Sequence, residues 1–150
     1  MSDGFDISEL TKFEKKLVEK VNDTMPKESR KFTKKQSGKL NKKNKQVFKG
    51  KGIGEETGNL LKGFKSGKAY KYQGVWSSRA YNSSPHAHLL NNGYMWKPHK
   101  KVAKGQSEIQ TGEERFIPGF HFMEDAAKAF ESGYYSDVEE LLHNVFIKGL

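Results

Sequence analysis

The sequence predicts an α+β domain: a small antiparallel β-sheet packed against N-terminal and C-terminal α-helices, with a long β-hairpin-like loop. Three observations predict it. Residues 7–23 and 119–149 repeat apolar side chains at spacings of three and four, which is one face of a helix. Residues 68–82 alternate aromatic and polar side chains around Gln73-Gly74, a hairpin pattern. Between them, Pro85 to Gly93 starts with a residue suited to a first helical turn and ends with one able to take positive φ.

The 150 residues form one domain on length alone. Within it we separate a basic helical arm, 7–48, from an α+β core, 57–149, in which 94–118 is an extended loop. Apolar residues make up 34% of the chain, so the core is modest. Ten Phe and six Tyr supply much of it, because each ring can bury roughly 150–250 Å². The chain has no cysteine, which excludes disulfides, thiol catalysis and cysteine-based zinc sites. No apolar run reaches the roughly 18–20 residues of a membrane span. The acidic N-terminus lacks the apolar stretch of a signal peptide, so a cytoplasm-like compartment is expected.

The net charge of +9 is concentrated. Residues 27–51 hold eleven Lys and Arg against one acid, Glu28, for a net of +10. The other residues hold sixteen basic against seventeen acidic side chains, for a net of −1. The excess therefore belongs to one surface rather than to the whole fold.

Taken in order, Ser8 is placed to cap a helix over 7–23. Its apolar face is Ile7, Leu10, Phe13, Leu17, Val18 and Val21. Pro26 is expected to break or kink it and to open a second helix over 26–48. That helix is thinly amphipathic: Phe32, Gln36, Leu40, Val47 and Phe48 mark its inner side, and lysines cover the rest. Residues 49–58 read as a glycine-rich loop. Thr57 is placed to cap a short helix that buries Leu60, Leu61 and Phe64. The hairpin spans 68–73 and 75–82, with one aromatic, half-buried face. Ser83 or Ser84 can cap the corner helix, which is expected to turn Leu89 and Leu90 inward. Residues 94–118 read as an extended hairpin with a polar tip, limited to an edge or loop by Pro98. The C-terminal helix is expected to pause at Gly133 and restart at a capping box made by Ser136 and Glu139.

Few residues point to catalysis. His86 and His88 diverge by about 200° on a helix, and no carboxylate stands at ligand spacing, so packing or capping is favoured over metal binding. Glu55-Glu56 and Glu113-Glu114 are neighbours on loops and do not converge on one substrate. The Lys-Gly-Lys-Gly-Ile-Gly run at 49–54 lacks the Gly-Lys-Ser/Thr ending of a phosphate-binding loop. No enzyme, cofactor or small-molecule substrate is expected. Two surfaces stand out instead. One is the basic face of Lys31, Lys34, Lys35, Lys39, Lys42, Lys43, Lys45 and Lys49. It is either a solvated surface or a sequence-independent nucleic-acid contact. The other is Tyr94, Met95, Trp96, Arg115, Phe116 and Ile117. Its apolar members either meet a partner or complete the core.

Three ordered segments carry a resemblance. Thr57-Gly-Asn-Leu-Leu-Lys-Gly-Phe64, Pro85-His-Ala-His-Leu-Leu-Asn-Asn-Gly93 and Pro118-Gly-Phe-His-Phe-Met-Glu-Asp-Ala126 resemble, in order and spacing, motifs of the tail-component family of tailed bacteriophages. The likeness covers roughly residues 7–149. Asn91 stands where that family usually has Glu, so the ion pair such a Glu would make across the corner is not expected. Gly63 stands where Ser is frequent. The resemblance implies a structural virion protein that completes the tail and joins it to the head. It implies a ring of six at the neck, with connector or stopper, tail-terminator and tail-tube proteins as partners and DNA passing through the lumen. It also implies that the basic face meets DNA or an acidic partner, a neighbouring ring. Pro85, His88, Leu89 and Gly93 are the structural corner already read from the residues. The alternative is a sequence-independent nucleic-acid-binding protein that uses residues 27–51.

Overall fold

The computed structural model describes residues 7–54, 58–100, 102–107 and 109–148. The architecture is α+β: long N-terminal and C-terminal helices with small antiparallel ladders between them. Thr57 and the Glu55-Glu56 pair lie outside the described residues.

The N-terminal helix is not broken at Pro26. Helix α1 (Ile7–Glu19) passes through one π turn (Lys20–Thr24) into α2 (Met25–Gly50). The Met25 N–H bonds back to the Lys20 carbonyl across this widened turn. Proline in a helix loses its own bond and crowds the carbonyl four residues earlier, here that of Asn22. The wider turn relieves both, so the chain continues instead of bending away. Ser8 lies inside α1 rather than ahead of it. The apolar face expected to be buried there is open: Leu10, Phe13, Val18 and Val21 are 47–53% exposed.

Helix α2 packs along α5 (Phe122–Leu142). Its inner side is more polar than a core helix requires. Gln36, Ser37 and Asn44 are buried there with Phe48. Ser37 is satisfied by donating to the Lys34 carbonyl. The Asn44 amide, 1% exposed, finds no hydrogen-bond partner among the described residues. Two ion pairs at the rim link α2 and the residue after it to α5: Lys39 with Asp137 at 2.5 Å, and Lys51 with Asp125.

The core is an aromatic triangle. Phe48 closes α2, Phe64 follows the short helix α3 (Asn59–Lys62), and Phe122 opens α5. Their ring centroids lie 5.3–5.9 Å apart, all edge-to-face, the favoured aromatic arrangement. Phe64 itself begins a strand rather than ending the helix.

The strands form four two-stranded ladders, not one sheet. Strand β1 (Phe64–Ser66) pairs with β4 (Ala80–Asn82), and β2 (Tyr70–Tyr72) pairs with β3 (Val75–Ser77). The Gln73-Gly74 turn is as expected, with φ of 49° and 78°. The run expected as one strand over 75–82 divides at Ser78-Arg79, because its second half pairs with β1. Strand β2 is exposed at all three residues, so its tyrosines do not form a buried face. Strand β5 (Gly93–Trp96) pairs with β8 (Arg115–Pro118), and β6 (His99–Lys100) continues the hairpin against β7 (Ile109–Gln110).

Helix α5 runs through Gly133 without a break, so Ser136 and Glu139 sit inside it and cap nothing. It ends in a second π turn, His143–Ile147. The two π turns meet where the Lys20 Nζ donates to the Val145 carbonyl at 2.6 Å. Among the described residues, no helix is long and apolar enough to cross a membrane.

Candidate assembly surface

The corner at 85–93 is the pivot that sets the hairpin against α5. Pro85 and His86 lie in a turn, and helix α4 (Ala87–Asn92) follows. No side chain caps it: neither Ser83 nor Ser84 takes that role, and the Ala87 N–H bonds the Ser84 carbonyl. Ala87 and Asn91 are its buried residues, while Leu89 and Leu90 are half-buried and His88 is exposed. Gly93 takes φ of 89° and leads directly into β5.

Asn91 does what its residue type did not announce. Its Oδ1 accepts the Met123 N–H at 3.0 Å. Its Nδ2 donates to the Glu124 carboxylate at 3.0 Å, and its backbone carbonyl accepts the His121 N–H at 3.0 Å. His121, the residue before α5, takes φ of 51° and caps the helix with no side-chain hydrogen bond of its own. Asn91 therefore supplies the N-cap from a different helix, satisfying an orphan N–H of the first turn. The polar contact across the corner is present after all, as an amide bridge instead of an ion pair.

Two glycines let the chain cross here. A Cβ on Gly119 would run into the backbone of Asn91, Asn92 and Gly93. A Cβ on Gly93 would meet the Ile117 carbonyl and the Phe116 ring. The backbones touch, and the hairpin leaves the body at a fixed angle.

That hairpin brings the second sequence-predicted set together. Tyr94 faces Ile117, Met95 faces Phe116, and Trp96 faces Arg115. The Arg115 guanidinium lies over the Trp96 ring, 4.6 Å from its centre, a cation–π contact. Lys97 and Glu114 pair at 2.9 Å farther out. Tyr94 and Ile117 are half-buried and serve the fold. Met95 and Phe116 point the other way, being 53% and 57% exposed, with Ile109 also open nearer the tip. The ladder therefore divides this set into half-buried residues, Tyr94 and Ile117, and open ones, Met95, Trp96 and Phe116.

The basic face divides in the same manner. Lys39 is engaged by Asp137, and Lys51 by Asp125. These contacts hold both carboxyls below their usual range. For Asp137 the Lys39 bond leads and the Gln36 amide adds to it; for Asp125 the Lys51 bond leads. Lys31 makes only a loose pair with Glu28 at 3.8 Å. Lys34, Lys42 and Lys49 are exposed. Among the described residues no three His, Cys, Asp or Glu side chains gather into a metal-binding group.

No family model, curated protein or solved structure matches this chain.

Proposed function

We propose that this chain is a structural protein of a tailed-bacteriophage virion, acting in tail completion and head-to-tail joining as one subunit of a ring at the top of the tail. The reading is carried by one observation: the apolar side chains left open on two outlying elements. The β5–β8 hairpin presents Met95, Phe116 and Ile109, and α1 presents Leu10, Phe13, Val18 and Val21. Apolar groups gathered on such elements mark a surface that another chain covers. The three segments that resemble the tail-component family lend support. Phe64 and Phe122, two of the three rings of the core triangle, and Asn91, Gly93 and Gly119, which build the corner, belong to those segments. Six copies would match tail symmetry, with connector or stopper, tail-terminator and tail-tube proteins as neighbours.

Virions grown without the protein should show unjoined heads and tails, or irregular tail ends, by electron microscopy. Complementation with a Met95→Glu, Phe116→Glu variant should fail although that variant folds like the parent. Normally joined particles in the absence of the protein would sink the proposal.

A further inference from the structure

The long helix sorts its lysines, Lys27 to Lys49, into two sets. At about 100° per residue, Lys27, Lys31, Lys34, Lys42, Lys45 and Lys49 fall within a sector of about 80°. The sector lies off the side that carries Ser37, Asn44 and Phe48 inward. Lys35, Lys39 and Lys43 follow on the side next to α5, where each lines a hollow with Asp137, and Lys31, a member of the row, also reaches the first of these hollows. The first set recurs every three or four residues, and the one vacant step in that rhythm is Gly38. At 1.5 Å per residue the row is about 33 Å long.

We propose that this row is a binding site for the phosphate backbone of duplex DNA, contacted without regard to sequence. Its length is close to one duplex turn, along which each strand offers a phosphate about every 3.4 Å. The row carries no aromatic side chain, which single-stranded binding would use for stacking. It carries no Arg, Asn or Gln with which to read base edges. Lysine is depleted at protein–protein interfaces, and this row has no apolar member to anchor one. A membrane-surface helix would need an apolar face free to enter lipid, and the inner side of α2 is packed on α5.

Gly38 supplies the second argument. Glycine inside a helix costs about 1 kcal/mol relative to alanine. A Cβ there would meet nothing within 4 Å, so the fold has no use for the missing side chain. A bare position at the middle of the row lets the helix backbone approach a phosphate strand closely. The site does not depend on the joining role proposed above.

The test is fluorescence anisotropy of a labelled 30-base-pair duplex, titrated with the full chain across a salt series. Six engaged lysines give a slope of log affinity against log salt of about −5. The triple variant Lys34→Gln, Lys42→Gln, Lys49→Gln should flatten that slope by about three. Lys62→Gln, Lys65→Gln, Lys68→Gln removes the same charge from exposed positions elsewhere and should leave the slope within about one of the parent. Gly38→Leu should weaken binding several-fold without lowering the melting temperature. Equal flattening by the two triples would reduce the effect to net charge and overturn the site. So would absence of binding at low salt. A row variant that loses self-association or binding to an acidic protein while keeping its DNA affinity would assign the row to protein docking and overturn it as well.

Discussion

Replacing Asn91 with Ala tests whether the corner truly caps the C-terminal helix. The variant removes the acceptor of the Met123 N–H, a bond of 3.0 Å that reaches across 32 residues. Loss of an N-cap side chain costs about 1 kcal/mol. Leaving a partly buried N–H unpaired adds about 1–2 kcal/mol. The two other side-chain contacts, to Glu124 and Asn92, end on exposed residues that water can satisfy, so they add little. The expected loss is about 2–3 kcal/mol, or roughly 5–10 °C in melting temperature for a domain of this size. Urea denaturation followed by circular dichroism reads the first quantity and a thermal scan the second. Asn91→Asp is the control. It keeps the acceptor and adds a negative charge at a helix N-terminus, which is favourable, but it loses the donor to Glu124 and sets a second carboxylate beside that one. It should fall between the parent and Asn91→Ala. An Asn91→Ala protein within about 0.5 kcal/mol of the parent, or an Asp variant as damaged as the Ala one once Glu124→Gln has removed the facing charge, would refute the capping argument.

The remaining predictions concern the crossing and the rim. Gly119→Ala places a methyl group against the backbone of Asn91 to Gly93 and should cost about 1–3 kcal/mol as overpacking. Gly38→Ala, entering open space, should instead stabilise by up to about 1 kcal/mol; opposite signs in the urea midpoints check the pair. The depressed carboxyls of Asp137 and Asp125 make stability depend on acid. Their contribution is complete above the ordinary carboxyl pKa, near pH 4, and is lost as pH falls through their lowered folded values. Between pH 6 and pH 3 the urea midpoint should therefore fall more for the parent than for an Asp137→Asn, Asp125→Asn variant, and equal falls would contradict the assignment.

Much of the layout was legible locally. The helical stripes, the Gln73-Gly74 turn, the corner ended by Gly93 and the extended 94–118 hairpin are each encoded within a few neighbouring residues, through periodicity, capping chemistry and permitted φ. Cross-strand partners such as Met95 and Phe116 could be suspected because both flank one polar loop. What misled was punctuation read in isolation. Pro26 and Gly133 each look like breaks, yet one is absorbed by a π turn and the other by continuous packing of α5 on α2. The division of residues 75–82 was not readable, because β4 is claimed by β1, a partner set by the chain's path and not by its own alternation.

The sequence by itself determined the fold class, the helix faces and the concentration of charge on one segment, since these depend on residue order over a turn or two. Only the tertiary structure decided which apolar face is covered and which lysines are engaged. It also decided that an asparagine in α4 caps a helix beginning thirty residues later. Those outcomes rest on contacts between distant segments, whose geometry emerges when the three phenylalanines pack and the backbones at Gly93 and Gly119 meet.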